Sequence, residues 1–344
     1  LNTRSGYLPL SQQYPKPHPL SLSLSQYNPH PSTPPSIKFS PLQNPVPVPE
    51  TPFACFHSSI HSLFSVYSPP LPLMESKKNR PPIEIREVWA ENLEEEFALI
   101  SDLVDRFPYV AMDTEFPGVV IKPSIRYKRY SDFLYHTLKA NVDALHLIQV
   151  GLTLADSSGN LPNLGTDSQF IWQFNFKDFN LLKHPYSPAS ISLLEKHGID
   201  FEKNSTDGIE SRLFAELLMG SGLVCNDNVK WVTFHSAYDF AYLLKLLTWR
   251  EMPGELEEFL TMVRTYFGEI YDLKHLMKYC GGLHGGLARL AESLNVDRAV
   301  GSCHQAGSDS LLTWHAFVGL RDRFFGGLTE PYAGVLYGLE SACN

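Results

Sequence analysis

The amino-acid sequence predicts an α/β protein in which helices flank a mixed β-sheet. Short apolar runs of strand length come first in the folded part of the chain, and segments with helical spacing follow. A strand at 230–236 leads directly into a helix at 238–248. Strands that precede helices, joined by one strand–helix crossover, are typical of a mixed sheet covered by helices. With 43% hydrophobic residues among 344, the chain can bury a sizeable core.

The composition changes near residue 74. Sixteen of the 26 prolines lie in residues 1–73, where serine is also abundant. Because proline lacks the backbone donor that helices and sheets need, we expect a disordered Pro/Ser-rich extension at 1–73 and a folded domain at 83–340. The first methionine is Met74, so we expect the natural start there and an upstream leader before it. An organelle transit peptide is the alternative, since Glu50 is the only acid before Met74.

The net charge, the cysteine pattern and the lengths of the apolar runs argue against several classes of protein. The formal net charge of −9 excludes a global basic field for nucleic-acid binding. The five cysteines form no CxxC pair, which favours reduced thiols in a cytoplasmic or nuclear protein over a disulfide framework or a zinc motif. No apolar run reaches the roughly 18 residues of a membrane span, so we expect no membrane segment.

The elements follow in chain order from periodicity. Apolar residues in 92–107 have helical spacing, and strands are predicted at 109–116, 145–155 and 169–176. The last two strands are separated by the turn-rich "DSSGNLPNLG", which predicts a hairpin. Besides 238–248, helices are predicted at 190–197, 209–219, 255–267, 273–279, 285–294 and 306–325.

Two carboxylates lie inside the apolar strand "VAMDTEF". Asp113 and Glu115 are two residues apart and project from the same face of the strand. Neighbouring carboxylates repel unless they are protonated or bridged by cations, and their hard oxygens suit Mg²⁺ or Mn²⁺. Asp239 at a strand–helix junction, and Asp309 in the first turn of the last helix with His304 ahead of it, complete a set for two divalent cations. We expect cations, not lysine or arginine, to balance these acids.

Each of the last three residues also has an ordinary structural interpretation. Asp239 and Asp309, taken singly, are typical of acids stabilised by a helix N-terminus, and a lone His304 is typical of a surface loop. The joint pattern, with every group on the expected element, favours the metal site.

Six stretches of the chain resemble the carbon catabolite repressor four-associated factor one family of deadenylases: "VAMDTEFPGVV", "NVDALHLIQVGLTL", "GIESRLFAELLMGSG", "VKWVTFHSAYDFAYLLKLLT", "IYDLKHLMKYC" and "HQAGSDSLLT". The resemblance spans roughly residues 83–340, and the DTEFPG and HQAGSDS blocks together point to this subfamily among the DEDD exonucleases. It implies a ribonuclease H-like sheet and, at His304, the catalytic histidine that distinguishes the DEDDh branch. It also implies metal-binding acids at Asp113, Glu115, Asp239 and Asp309.

The resemblance further implies a 3′-to-5′ exoribonuclease that shortens mRNA poly(A) tails and releases 5′-AMP by hydrolysis with two Mg²⁺ or Mn²⁺ ions. The implied partners are the poly(A) tail, a large helical scaffold subunit and a second deadenylase of a deadenylation complex. The implied location is the cytoplasm and the nucleus.

Two segments, 121–143 and 154–176, depart from the family's common wording, and we expect the departures to lie in loops that affect substrate affinity or partner contacts. The basic cluster of Arg126, Lys128 and Arg129 is either a phosphate contact or a solvated loop. Phe116 is either a base-stacking group or a core aromatic.

Two other functions compete with the deadenylase hypothesis. A proofreading-type DNA exonuclease would use the same acids, although the DTEFPG and HQAGSDS blocks argue against it. A structural adaptor could keep the fold only to bridge a larger complex. All five chemical positions are intact, which argues against an inactive homologue.

Overall fold

The described strands form one mixed β-sheet with the order β1-β4-β3-β2-β5-β6. β3 runs antiparallel to both β2 and β4, and the remaining neighbours are parallel. This arrangement confirms the predicted mixed sheet and the hairpin between β3 and β4. The strands are β1 (Ile83–Val88), β2 (Tyr109–Glu115), β3 (Gln149–Ala155), β4 (Gln169–Asn175), β5 (Lys230–Thr233) and β6 (Glu269–Asp272).

The computed structural model describes residues 81–124 and 127–340. The expectations for residues 1–73, and the candidate phosphate contact Arg126, lie outside the described residues. The described residues belong to one compact unit, Pro72–Asn344.

Helices cover both faces of the sheet. Side chains alternate along β2, so that Val110 and Met112 join one hydrophobic core while Ala111 joins the other. The first core is completed by helices α1, α2, α5, α6 and α7, and the second by α8, α9 and α10. The helices are α1 (Leu93–Leu103), α2 (Tyr130–Ala144), α3 (Pro188–Lys196), α4 (Phe201–Asp207), α5 (Ser211–Gly220), α6 (Ala237–Thr248), α7 (Leu256–Phe267), α8 (Leu273–Leu276), α9 (Leu287–Ser293) and α10 (Ala306–Phe324).

Strand β5 is shorter than its sequence predicts, because its end is fixed by a buried acid. Asp272 accepts the backbone N–H groups of His235 at 2.8 Å and Ser236 at 3.3 Å. These two residues form a turn in place of the predicted strand, and α6 begins directly after it. The turn places the start of α6, and with it Asp239, at the carboxyl end of the parallel strands.

The sequence did not indicate β1, α2, α4 or β6. The expectation that the departures in 121–143 and 154–176 lie in loops was wrong for most of the first segment, where α2 begins at Tyr130. In the second segment, residues 156–168 form the expected loop between β3 and β4, and residues 154–155 and 169–175 belong to those two strands. Tyr135, Leu138 and Val142 are buried at helical spacing along α2. Strand β6 has four residues, which is too short for a periodic signal. Among the described helices, none combines the length and the apolar character needed to cross a membrane.

Candidate metal centre

Strand β2 carries Asp113 and Glu115 toward the face of the sheet covered by α10. Their register neighbours on β3 are Gly151 and Gln149, respectively. A Cβ atom at Gly151 would lie 1.9 Å from the carbonyl oxygen of Ala306, so only glycine lets the beginning of α10 approach the sheet this closely. The same approach brings the first turn of α10, with Asp309, beside the two acids of β2.

Two glutamines hold the beginning of α10 against the sheet. The side-chain oxygen of Gln149 accepts the N–H of Ala306 at 3.3 Å, and that of Gln173 accepts the N–H of Gly307 at 2.9 Å. These N–H groups have no partner within the helix, and they are buried. Gln173 in turn donates to Glu87 on β1 at 2.9 Å, which orients its amide. Three neighbouring strands therefore set the position of the helix that carries Asp309.

Carboxylate oxygens of Asp113, Glu115 and Asp309 lie within 4.8 Å of one another. Burial, followed by the charges of Asp309 and Asp239, raises the pKa of Glu115 to about 8. Burial and then the charges of Asp309, Asp239 and Glu115 raise the pKa of Asp113 well above its usual range. Burial is the largest cause for both groups and the neighbouring carboxylates come next, so a further nearby cation would favour the charged forms. The close oxygens of these carboxylates fit a divalent cation.

Asp239 lies beside this group and is held separately. Its side chain accepts a hydrogen bond of 2.6 Å from the hydroxyl of Thr114, which alternates with Asp113 and Glu115 along β2. Burial raises the pKa of Asp239 to about 7. Of the four predicted acids, the structure thus brings three into one group, while the fourth adjoins them from the first turn of α6.

Asp309 has a basic partner that the sequence did not reveal. Arg298 donates from Nη2 to Oδ1 of Asp309 at 2.5 Å, and the backbone N–H of His304 donates to Oδ2 at 2.8 Å. The expectation that no arginine balances the acids was therefore wrong for Asp309. Arg298 lies in the loop before α10, and no motif or periodicity singles it out.

His304 lies at the edge of the acidic group. Its Nδ1 atom is 4.0 Å from Oε1 of Glu115, and its ring packs edge-to-face against His197 at 5.2 Å. Its φ of 60° is unusual for a residue with a side chain, and the hydrogen bond from its N–H to Asp309 helps to hold that conformation. Burial lowers the pKa of His304, which favours a neutral imidazole at neutral pH.

The other candidates make contacts within the protein. Phe116 stacks on Tyr238 at 5.1 Å and is partly buried against the first core, which favours the core interpretation. Arg129 pairs with Asp132 at 2.8 Å, while Lys128 is exposed.

A mixed sheet in this order, with an acidic centre on the interior strand β2, is the ribonuclease H-like fold of the DEDD exonucleases. The family model described as CAF1 family ribonuclease matches residues 88–216. The chain is 58% identical over 257 residues to the probable CCR4-associated factor 1 homolog 10 of Arabidopsis thaliana, covering 75% of this chain and 92% of that protein. The chain therefore belongs to the CAF1 ribonuclease family and is a nuclease.

Two further relatives add structural detail. The chain is 49% identical over 258 residues to the poly(A) ribonuclease pop2 of Schizosaccharomyces pombe, covering 75% of each. The structure of that protein in its Mg²⁺- and Mn²⁺-bound form has a TM-score of 0.70 and covers 74% of this chain and 99% of that one. A structure of the yeast NOT1 MIF4G domain co-crystallized with CAF1 matches with a TM-score of 0.61 and 35% identity, covering 74% of this chain and 96% of that one.

Proposed function

We propose that this protein is a 3′-to-5′ exoribonuclease that shortens the poly(A) tails of mRNA and releases 5′-AMP. The observation that carries the proposal is the convergence of Asp113, Glu115 and Asp309 within 4.8 Å, beside Asp239 and His304. The poly(A) ribonuclease activity named for the pop2 relative supports the substrate class.

The four acids would hold two divalent cations, Mg²⁺ or Mn²⁺, the ions bound in the pop2 structure. Such ions lower the pKa of bound water and stabilise the charge that develops on the phosphate. They also offset the repulsion between RNA and a chain with a formal net charge of −9.

The protein's own groups would then position and deprotonate the nucleophile. The imidazole of His304, kept neutral by burial, accepts the proton of the water that attacks the terminal phosphodiester. Arg298 and the His304 N–H keep the Asp309 carboxylate oriented, and Thr114 does the same for Asp239. The 3′ oxygen of the preceding nucleotide leaves with the shortened RNA.

We further propose that the protein works in a complex in the cytoplasm and nucleus. The NOT1 MIF4G domain co-crystallized with yeast CAF1 supports a large helical scaffold as a partner. A second deadenylase as partner rests on the family resemblance alone. An adaptor role of this kind is compatible with catalysis by the same chain.

The specificity is tested with two 5′-labelled RNAs that are identical except for a 3′ end of adenosines or cytidines. We expect a stepwise ladder that advances faster on the adenosine end. Equal ladders on both RNAs would refute the preference for poly(A) but would still support an exonuclease. Internal cuts without a ladder would refute the exonuclease hypothesis. A matched DNA oligonucleotide that is degraded faster than the RNA would favour the proofreading-type alternative.

A further inference from the structure

A second group of ligand atoms lies beside the carboxylates and includes a thiol. The sulfur of Cys303, a ring nitrogen of His304 and a carboxylate oxygen of Asp309 lie within 4.8 Å of one another. Cys303 is a free, partly buried cysteine. The proposed hydrolysis uses His304 and Asp309 and gives Cys303 no task.

Sulfur, imidazole and carboxylate together form a different kind of ligand set from the acids of β2. Mg²⁺ and Mn²⁺ prefer hard oxygen atoms, whereas Zn²⁺ binds thiolate, imidazole and carboxylate ligands at about 2.0–2.3 Å. Ligand atoms around a tetrahedral Zn²⁺ are therefore about 3.5 Å apart. Side-chain rotations that move each ligand atom by about 1 Å bring the sulfur, the ring nitrogen and the carboxylate oxygen to that spacing.

The hydrogen bonds of Asp309 leave room for such an ion. Arg298 contacts Oδ1 and the His304 N–H contacts Oδ2, one donor for each oxygen. A carboxylate offers about four lone-pair sites, so each oxygen can accept one more ligand. The same two contacts tie the loop that carries Cys303 and His304 to the first turn of α10, which keeps the three ligands together.

We propose that Cys303, His304 and Asp309 form a Zn²⁺ site that inhibits the nuclease. Zn²⁺ binding releases the thiol proton of Cys303 to solvent, and a water molecule completes the coordination. The bound ion occupies the imidazole of His304 and a lone pair of Asp309. The inhibition rests on the proposed function, because it requires these two residues to serve in hydrolysis, whereas the binding site does not.

Metal binding is tested by spectroscopy, independently of nuclease activity. Co²⁺, a spectroscopic substitute for Zn²⁺, is titrated into the metal-free full chain, and thiolate-to-metal charge-transfer absorption in the near ultraviolet is recorded. We expect this absorption in the wild type, and we expect it to disappear when Zn²⁺ displaces the Co²⁺. A variant that lacks Cys303 should not show the absorption. The variant is Cys303→Ser, and the control is Cys225→Ser. Cys225 is exposed and precedes β5, at the end of that strand opposite to Asp239.

Inhibition is tested by adding Zn²⁺ to the Mg²⁺-activated nuclease. Cys303→Ser should keep the activity measured without Zn²⁺ and raise the Zn²⁺ concentration for half inhibition at least about tenfold, since even an outer-shell partner is typically worth 10–100-fold in metal affinity. The control should behave as wild type.

The outcomes separate the two proposals. An absence of thiolate absorption in the wild type, or its persistence in Cys303→Ser, refutes the site. Equal Zn²⁺ sensitivity of wild type and Cys303→Ser assigns the inhibition to the carboxylates and overturns the regulatory role. Thiolate absorption without any Mg²⁺-dependent nuclease activity would instead refute the proposed function and retain the Zn²⁺ site.

Discussion

Replacing Glu115 by glutamine should stabilise the metal-free protein at neutral and alkaline pH. Glu115 has a pKa of about 8 in the folded protein, against an ordinary 4.5. Between these values the folded state binds more protons than the unfolded chain, so the free energy of unfolding falls as the pH rises from 4.5 to 8. The variant removes this dependence, because an amide of the same shape carries no charge.

The size of the effect follows from the same numbers. The interval from 4.5 to about 8 corresponds to an upper limit of about 5 kcal/mol, at about 1.4 kcal/mol per pH unit. An amide left without a hydrogen-bond partner costs about 1–3 kcal/mol. We therefore expect Glu115→Gln to raise the free energy of unfolding by at most about 2–4 kcal/mol at pH 8, or the melting temperature by about 5–10 °C, and to have no stabilising effect near pH 4.5.

The assay is thermal unfolding in EDTA across this pH range, followed by the same series in Mn²⁺. Mn²⁺ should stabilise the wild type more than the variant, which lacks one ligand charge. The control is Glu292→Gln at an exposed position of α9, which should leave both series unchanged. A variant less stable than the wild type at pH 8 in EDTA, or a wild type with no loss of stability between pH 5 and 8, would show that a charged Glu115 does not destabilise the metal-free protein.

Three further predictions concern catalysis and the supporting structure. Asp113→Ala should retain less than a tenth of the wild-type turnover. His304→Ala should be less impaired than Asp113→Ala, because the acids still bind cations and only the proton-transfer step is lost; such steps are typically worth ~10²–10⁴-fold. Gln173→Leu should lower the free energy of unfolding by about 1–3 kcal/mol, because it leaves the buried Gly307 N–H unpaired. It should also weaken Mn²⁺ binding, measured by calorimetry, because α10 is displaced. An unchanged Mn²⁺ affinity would show that Gln173 does not position the metal ligands. Deleting residues 1–73, whose composition lacks the apolar periodicity of a core, should leave the melting temperature and nuclease rate unchanged, and a drop of several degrees would contradict this.

The parts of the fold with periodic patterns could be predicted from the sequence. Strand β2 has an apolar run, so its position and the shared face of Asp113 and Glu115 followed from alternation alone. The long α10 and the β3–β4 hairpin were equally well marked. Strand β6 and the edge strand β1 were missed, because neither shows a pattern long enough to separate from loops.

The contacts between distant residues could not be predicted. Thr114 and Asp239 are 125 positions apart, and Gln149 and Ala306 are 157 positions apart. Nothing in the local sequence indicates such pairs, since they depend on how β3 and α10 pack. Arg298 and Cys303 were overlooked for the same reason: their importance comes only from their distance to Asp309 in the folded chain.

We infer that the acids of β2, α6 and α10 act through bound divalent cations. The metal requirement is measured by following a 5′-labelled oligoadenylate incubated with purified residues 74–344, first after treatment with EDTA and again after Mg²⁺ or Mn²⁺ is restored. We predict no shortening in EDTA and, with either ion, a stepwise ladder from the 3′ hydroxyl with release of 5′-AMP. A ladder that persists in EDTA would show that the acids do not need bound cations.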